Sequence, residues 1–144
     1  MAQSPAQKAN ANVHMFHRML GLGGTVFAIV VVVIRARMDP PSADDQFTSI
    51  VAYTLAGISL VLIAVAVMVL TRRVPERSIS QSLDAYWTTA GVLPAANLFW
   101  LVVEGAASLA IVGYLVTGHL APAAVMVVGL GVFWWVGPNM FSKP

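Results

Sequence analysis

A single glutamate, Glu104, stands near the middle of an apolar run long enough to cross a membrane. The run, residues 98–116, reads LFWLVVEGAASLAIVGYLV, and its only other ionisable group is the weakly acidic Tyr114. A carboxyl at bilayer depth costs about 3 kcal/mol on insertion scales and more by other measures. It therefore calls for a partner, a water-filled cavity or a proton. Ser108 lies one helical turn beyond Glu104, and Asn97 two turns before it on roughly the same face. Those three residues make a candidate polar track across half a membrane. It has a structural reading, in which Glu104 hydrogen-bonds a serine, a backbone carbonyl or a neighbouring subunit. It has a functional one, in which Glu104 gains and loses a proton or cation.

His14 and His17, one turn apart beside Arg18, are the other candidate ligand pair. A metal or haem site needs further ligands at the same depth. The third histidine, His119, is expected on the opposite side of the membrane, so no metal or other cofactor is assigned. The two histidines are expected to snorkel at the membrane surface with Arg18. Arg72, Arg73 and Arg77 form a basic cluster that can set topology and meet anionic lipid head groups, each worth about 1 kcal/mol near the surface. There is no cysteine, which removes disulfide, thiol and iron–sulfur chemistry. No nucleotide-binding glycine loop, zinc motif or paired nucleophile and base occurs. An enzyme acting alone is not expected, nor a nucleic-acid partner.

The elements that must position these residues follow from composition. Apolar residues make up 58% of the chain and charged residues 10%, with a mean hydropathy of +0.80. Soluble domains carry about 25% charged residues, so the lipid bilayer is the expected partner. A span takes roughly 20 mostly apolar residues. Residues 15–34, 48–70, 94–116 and 120–137 qualify, within one transmembrane domain covering 1–144. The first is read as a retained helix, since it ends in Ile34-Arg35-Ala36-Arg37 without a small-x-small cleavage site. The expected fold is all-α, an integral membrane four-helix bundle running up-down-up-down. Lys8, Arg18, Arg72, Arg73, Arg77 and Lys143 fall on one side and only Arg35 and Arg37 on the other. By the positive-inside rule both termini are cytoplasmic.

The outer loop, 35–47, carries Asp39, Asp44 and Asp45. The inner loop, 72–93, has a capping-box pattern at Ser78 and Gln81. Ile79, Leu83, Tyr86 and Trp87 follow at helical spacing. An interfacial helix over about 79–90 is expected before span three, with Asp84 facing water. Small residues at i, i+4 offer packing faces: Gly21 with Thr25, Gly24 with Ala28, Ala52 with Ala56, and Ala106 with Ala110 beside Gly105. Such faces take a helix of the same chain or another subunit.

The segment Leu101-Val102-Val103-Glu104-Gly105-Ala106-Ala107, followed by Ala110-Ile111-Val112-Gly113-Tyr114-Leu115-Val116, resembles the ion-carrying helix of rotary ATPase proteolipid subunits. That resemblance covers one span and implies a homo-oligomer translocating protons or cations through Glu104. It departs from the family in placing Glu104 in the first helix of the closing hairpin. The whole chain resembles small four-span proteins of bacterial membranes with an E-G-A-A helix, a group that implies no activity; richness in alanine and valine points to a bacterial inner membrane. The reading adopted is an accessory or structural subunit packing among other membrane subunits, an energy-transducing complex being one such setting. The proteolipid reading is the alternative.

Overall fold

The computed structural model describes residues 4–38 and 46–143, and all regular structure among them is helical. The elements are α1 (Pro5–Arg35), α2 (Gln46–Val65), α3 (Leu83–Tyr86), α4 (Val92–Thr117), α5 (Leu120–Trp135) and α6 (Pro138–Phe141). Helix α2 runs on through a π-helical turn, Ala66–Leu70, and a 3-10 turn, Thr71–Arg73. Among the described residues three helical segments are long and apolar enough to cross a membrane: Pro5–Arg35, Gln46–Arg73 and Val92–Thr117. Helix α5 is apolar but only 16 residues long, which is about 24 Å at 1.5 Å per residue. The acids Asp39, Asp44 and Asp45 lie outside the described residues.

Helix α1 begins ten residues before the expected span. Ser4 caps it: its hydroxyl accepts from the Gln7 N–H, and the Gln7 side chain accepts from the Ser4 N–H. Pro5 at the first helical position lacks the N–H that would otherwise be left over. Polar turns are thereby fused to the apolar helix, and no linker separates them.

The inner loop differs from the expected interfacial helix over 79–90. Only one turn, Leu83–Tyr86, is helical, and its cap is Ser82, whose hydroxyl accepts from the Ala85 N–H. Ser78 faces the Ser80 hydroxyl, and Gln81 donates to Thr89, so no capping box forms there. The reason is packing. Tyr86 and Trp87, at 0% and 2% exposure, insert into the core instead of lying on a membrane surface. Asp84 is drawn in too and accepts from Asn10 Nδ2 at 2.9 Å. Gly91, in the left-handed conformation at φ 87°, separates this turn from α4. Pro94 sits in the first turn of α4, where it needs no bend.

Helix α4 lies at the centre, against α1, α2 and α5. Its buried residues include Ala96, Phe99, Trp100, Val103, Ala106, Ala107, Ala110 and Ile111, which face several neighbours at once. Helix α5 returns alongside it after a turn at Gly118, φ 67°, whose N–H bonds the Tyr114 carbonyl at 2.8 Å. Helices α1 and α2 flank the α4–α5 pair and have no substantial contact with each other. Helices α4 and α5 therefore pack as an antiparallel hairpin, whereas α1 and α2 do not pack against each other as one.

Glycines set the closest approach. A Cβ on Gly21 would lie 2.7 Å from the Phe133 ring and 2.8 Å from the Trp134 ring of α5. Gly23, two residues on, meets nothing within 4 Å. Gly21→Ala is therefore expected to cost about 1–3 kcal/mol through overpacking. Gly23→Ala should be neutral or stabilise by up to about 1 kcal/mol through helix propensity. Unfolding in mixed detergent micelles, followed by loss of helical circular dichroism, compares the two.

Candidate functional site

The polar track of α4 faces α1. Ser108 Oγ donates to Glu104 Oε1 at 2.9 Å, the one-turn bond that the i, i+4 spacing allows. Across from it is Gly24, where an added Cβ would lie 3.4 Å from Glu104 Oε1 and 3.4 Å from Leu130 of α5. Glu104 is thus half-buried at the junction of α1, α4 and α5. Asn97 lies on the same flank of α4 but bonds neither of them. It lines an open groove of about 290 Å³ with Ala9, Asn12, Val13, Phe16 and Leu93, and its buried Oδ1 has no partner. The three track residues share a flank without forming a continuous hydrogen-bonded chain. Chemically, the pair Glu104–Ser108 supplies one carboxyl with one hydroxyl donor.

His17 departs from the expected surface position. It is 4% exposed, and its ring stacks on Phe133 at 4.6 Å with 7° between planes. Trp100 and Trp134 meet it edge-on at 5.1 Å and 5.7 Å. Its Nε2–H donates to the Phe133 carbonyl at 3.1 Å, since a carbonyl only accepts. Trp100 Nε1 donates to the Val136 carbonyl at 2.7 Å. These are carbonyls at the end of α5, which have no intrahelical donor. His17 faces inward because Val13, His17, Gly21, Gly24, Ala28 and Val31 form the buried stripe of α1. His14 is half-buried and Arg18 exposed. His119 is at the far end of the bundle, its Nε2 3.4 Å from the Ser49 hydroxyl. Among the described residues no three His, Asp or Glu side chains gather into a metal-binding group.

The other sites divide. Gly21, Gly24, Ala52, Ala56, Ala106 and Ala110 are buried in helix contacts. Gly105 points outward, with nothing within 4 Å of where its Cβ would be. Arg72 and Arg73 are exposed. Arg77 turns back to donate to the Gln81 carbonyl at 2.8 Å, and its buried Nε is unpaired.

Sequence reasoning missed the aromatic lock formed by His17, Trp100, Phe133 and Trp134. The available signal was the position of His17 within the small and apolar stripe of α1. It also missed Tyr86, whose hydroxyl donates to the Pro75 carbonyl at 2.8 Å and whose pKa is pushed up by burial. No protein-family model, curated protein or solved structure matches this chain.

Two outcomes are expected from these contacts. Trp100→Phe keeps a ring in place but removes the donor to Val136, and should cost about 1 kcal/mol. His17→Ala removes ring and donor together and should cost about 3 kcal/mol. Both are read from detergent-micelle unfolding midpoints. For Tyr86 the sign follows from its raised pKa. The hydroxyl contributes fully below pH 10, where it is neutral in both states, and its contribution is lost as pH rises through the folded value. Tyr86→Phe should therefore lower stability at pH 7 by about 1 kcal/mol and weaken the alkaline decline, measured as unfolding midpoints between pH 7 and 11.

Proposed function

We propose that this chain is an accessory or structural subunit of a larger membrane complex, crossing a bacterial inner membrane four times. The observation that carries this reading is the division of α4 into two flanks. The acid flank turns towards its own bundle, with half-buried Glu104 bonded to Ser108 and lying against Gly24. Beside it, about a quarter turn round the helix, an outward apolar strip exposes Leu98, Leu101, Val112 and Val116 around Gly105. A helix that approaches at Gly105 meets no side chain beyond its backbone, the condition for close packing where lipid removes any hydrophobic drive.

The up-down-up-down arrangement draws support from contacts at both ends. Asn10 bonds Asp84 and His17 bonds the Phe133 carbonyl at one end. Arg35 packs over Gly118, and Ser49 reaches His119, at the other. Each helix then opposes the direction of the one before it. In this arrangement Lys8, Arg18, Arg72, Arg73, Arg77 and Lys143 share one side, which supports cytoplasmic termini. Helix α5 serves as the fourth span, its short length made up by the Val136–Phe141 stretch folded beneath it. Arg72 and Arg73 are free to meet anionic head groups on the cytoplasmic leaflet.

Native mass spectrometry of tagged protein, drawn from its own membrane in mild detergent, tests this. One or two copies with unlike chains in fixed ratio are expected. Glu104→Gln should leave that assembly intact, because the glutamine Oε1 still accepts from Ser108. Gly105→Leu should release the partner while the bundle stays folded. A ring of identical copies, with Glu104 labelled by a hydrophobic carbodiimide and protected by sodium, would replace this reading with the ion-translocating one.

A further inference from the structure

Glu104 has two carboxyl oxygens, and the bundle uses one of them. Oε1 accepts from the Ser108 hydroxyl at 2.9 Å. Oε2 takes no hydrogen bond among the described residues, yet it is not sealed in the way that Ser59 Oγ and Asn97 Oδ1 are. It therefore reaches the outside of the bundle near the middle of α4. Lipid tails at that depth have nothing to bond it. One hydroxyl bond within a membrane offsets only a fraction of what a carboxyl costs there. Residues 19–34, 46–71, 92–117 and 120–135 contain no lysine, arginine or histidine, so these spans bring no cation to its level.

The neighbours of Glu104 fix the direction in which the free oxygen opens. Round α4 on one side of it stand Trp100, Ala107 and Ile111, all sealed in the core. On the other side stand Ser108, Leu101 and Gly105. Leu101 is 50% exposed, and a Cβ on Gly105 would meet nothing within 4 Å. Helix α1 forms the facing wall. Gly24 lies against Glu104, and the next residue, Gly23, is open, with nothing within 4 Å of its Cβ position. Gly23 stands two turns on from Phe16, which lines the groove between α1 and α4. Thr25, on the opposite flank of α1, serves α5 instead and accepts from Trp134. At the level of the carboxyl both walls are thus bare backbone, on the side away from α5. A helix seated there comes close enough to bring a side chain to Oε2.

We propose that this crevice takes a transmembrane helix of an unlike subunit, whose side chain at mid-depth is an amide or a hydroxyl bonded to Glu104 Oε2. Such a group both donates and accepts, so it matches a carboxyl oxygen with or without a proton. A lysine or arginine would match it only by carrying a second charge to bilayer depth. Backbone approach along Gly23 and Gly105 supplies the packing, and the polar bond sets the register of the partner helix. This contact rests on the subunit reading above and adds the partner's chemistry and its seat between α1 and α4.

The test uses the complex drawn from its own membrane in mild detergent, with retained partner read by native mass spectrometry. Glu104→Met, similar in length but without a polar end, should lower the retained partner about three- to tenfold, the worth of one hydrogen bond. Glu104→Gln should keep it, because its amide still bonds an amide or hydroxyl. Gly23→Leu should release the partner while the helical circular dichroism and unfolding midpoint of the bundle are unchanged, since that position is open in the free bundle. In the partner so identified, exchanging its mid-depth amide or hydroxyl for leucine should add nothing to Glu104→Met. A partner retained by both Glu104→Met and Gly23→Leu overturns this assignment. So does one without an amide or hydroxyl at that depth, or one lost as fully with Glu104→Gln as with Glu104→Met, the mark of an ion pair. Release by Gly105→Leu alone sinks this contact and leaves the subunit reading standing, whereas the lack of any unlike chain sinks both.

Discussion

Close approach to α4 is the constraint on which the rest of this bundle depends. Lipid tails are as apolar as leucine, so helices within them gain little by hiding apolar side chains from the surroundings. What holds them together is contact at short range and polar bonds across it. Each neighbour meets α4 at a position where one partner has little or no side chain. Gly24 of α1 faces Glu104, and Gly129 of α5 would place a Cβ 3.0 Å from that of Ala107. Leu55 of α2 packs over Gly113 of α4, where an added Cβ would lie 3.3 Å away. With α4 surrounded in this way, α1 and α2 are kept apart, and the chain neighbours 1 and 2 become spatial neighbours of 4 and 5 instead.

Such proximity makes the aromatic end of the bundle possible. Helix α5 is short, and its last carbonyls emerge among apolar side chains where water is not at hand to bond them. His17 and Trp100 reach them because Gly21 lets α1 lie against the Phe133 and Trp134 rings. Trp134 in turn donates to the Thr25 hydroxyl at 3.1 Å, and Thr25 donates to the Gly21 carbonyl at 2.7 Å. One small residue thus permits a set of bonds that spans three helices. Tyr86 and Trp87 extend the same cluster from the inner loop, Trp87 lying 6.3 Å from Trp100 between ring centroids.

The apolar runs were legible in the sequence because stretches of about twenty residues with at most one charge leave few alternatives in water. The i, i+4 bond from Ser108 to Glu104 was legible for the same kind of reason: helical spacing alone brings the two together. The start of α1 was missed because hydropathy marks where a helix is apolar, not where it begins, although Ser4 and Gln7 carry the capping pattern. The place of His17 in the small and apolar stripe of α1 marks it as inward-facing, but its partner Phe133 is 116 residues away, and no local spacing encodes that contact. The inner loop misled for a related reason. Ile79, Leu83, Tyr86 and Trp87 have helical spacing, yet a core that needs two aromatic rings at that point outweighs a weak amphipathic preference. Gly105 and Gly21 look alike in sequence, and only the placement of α5 and α1 makes one an inner contact and the other an outer surface.

Buried polar groups follow position along the bundle. At mid-bundle, Glu104 is supplied from within by Ser108 on its own helix. Towards the polar turns, Asn10 Oδ1, Arg77 Nε, Trp87 Nε1 and Asn97 Oδ1 are buried without protein partners. Ser59 on α2 is the exception to that gradient, being fully buried and unpaired along an otherwise apolar stretch. In hydrocarbon an unpaired group has no substitute for an internal bond, whereas at the head-group level water and lipid supply donors and acceptors. The bundle pairs its acid on its own helix and gathers most of its unpaired polar atoms, still buried, towards one end.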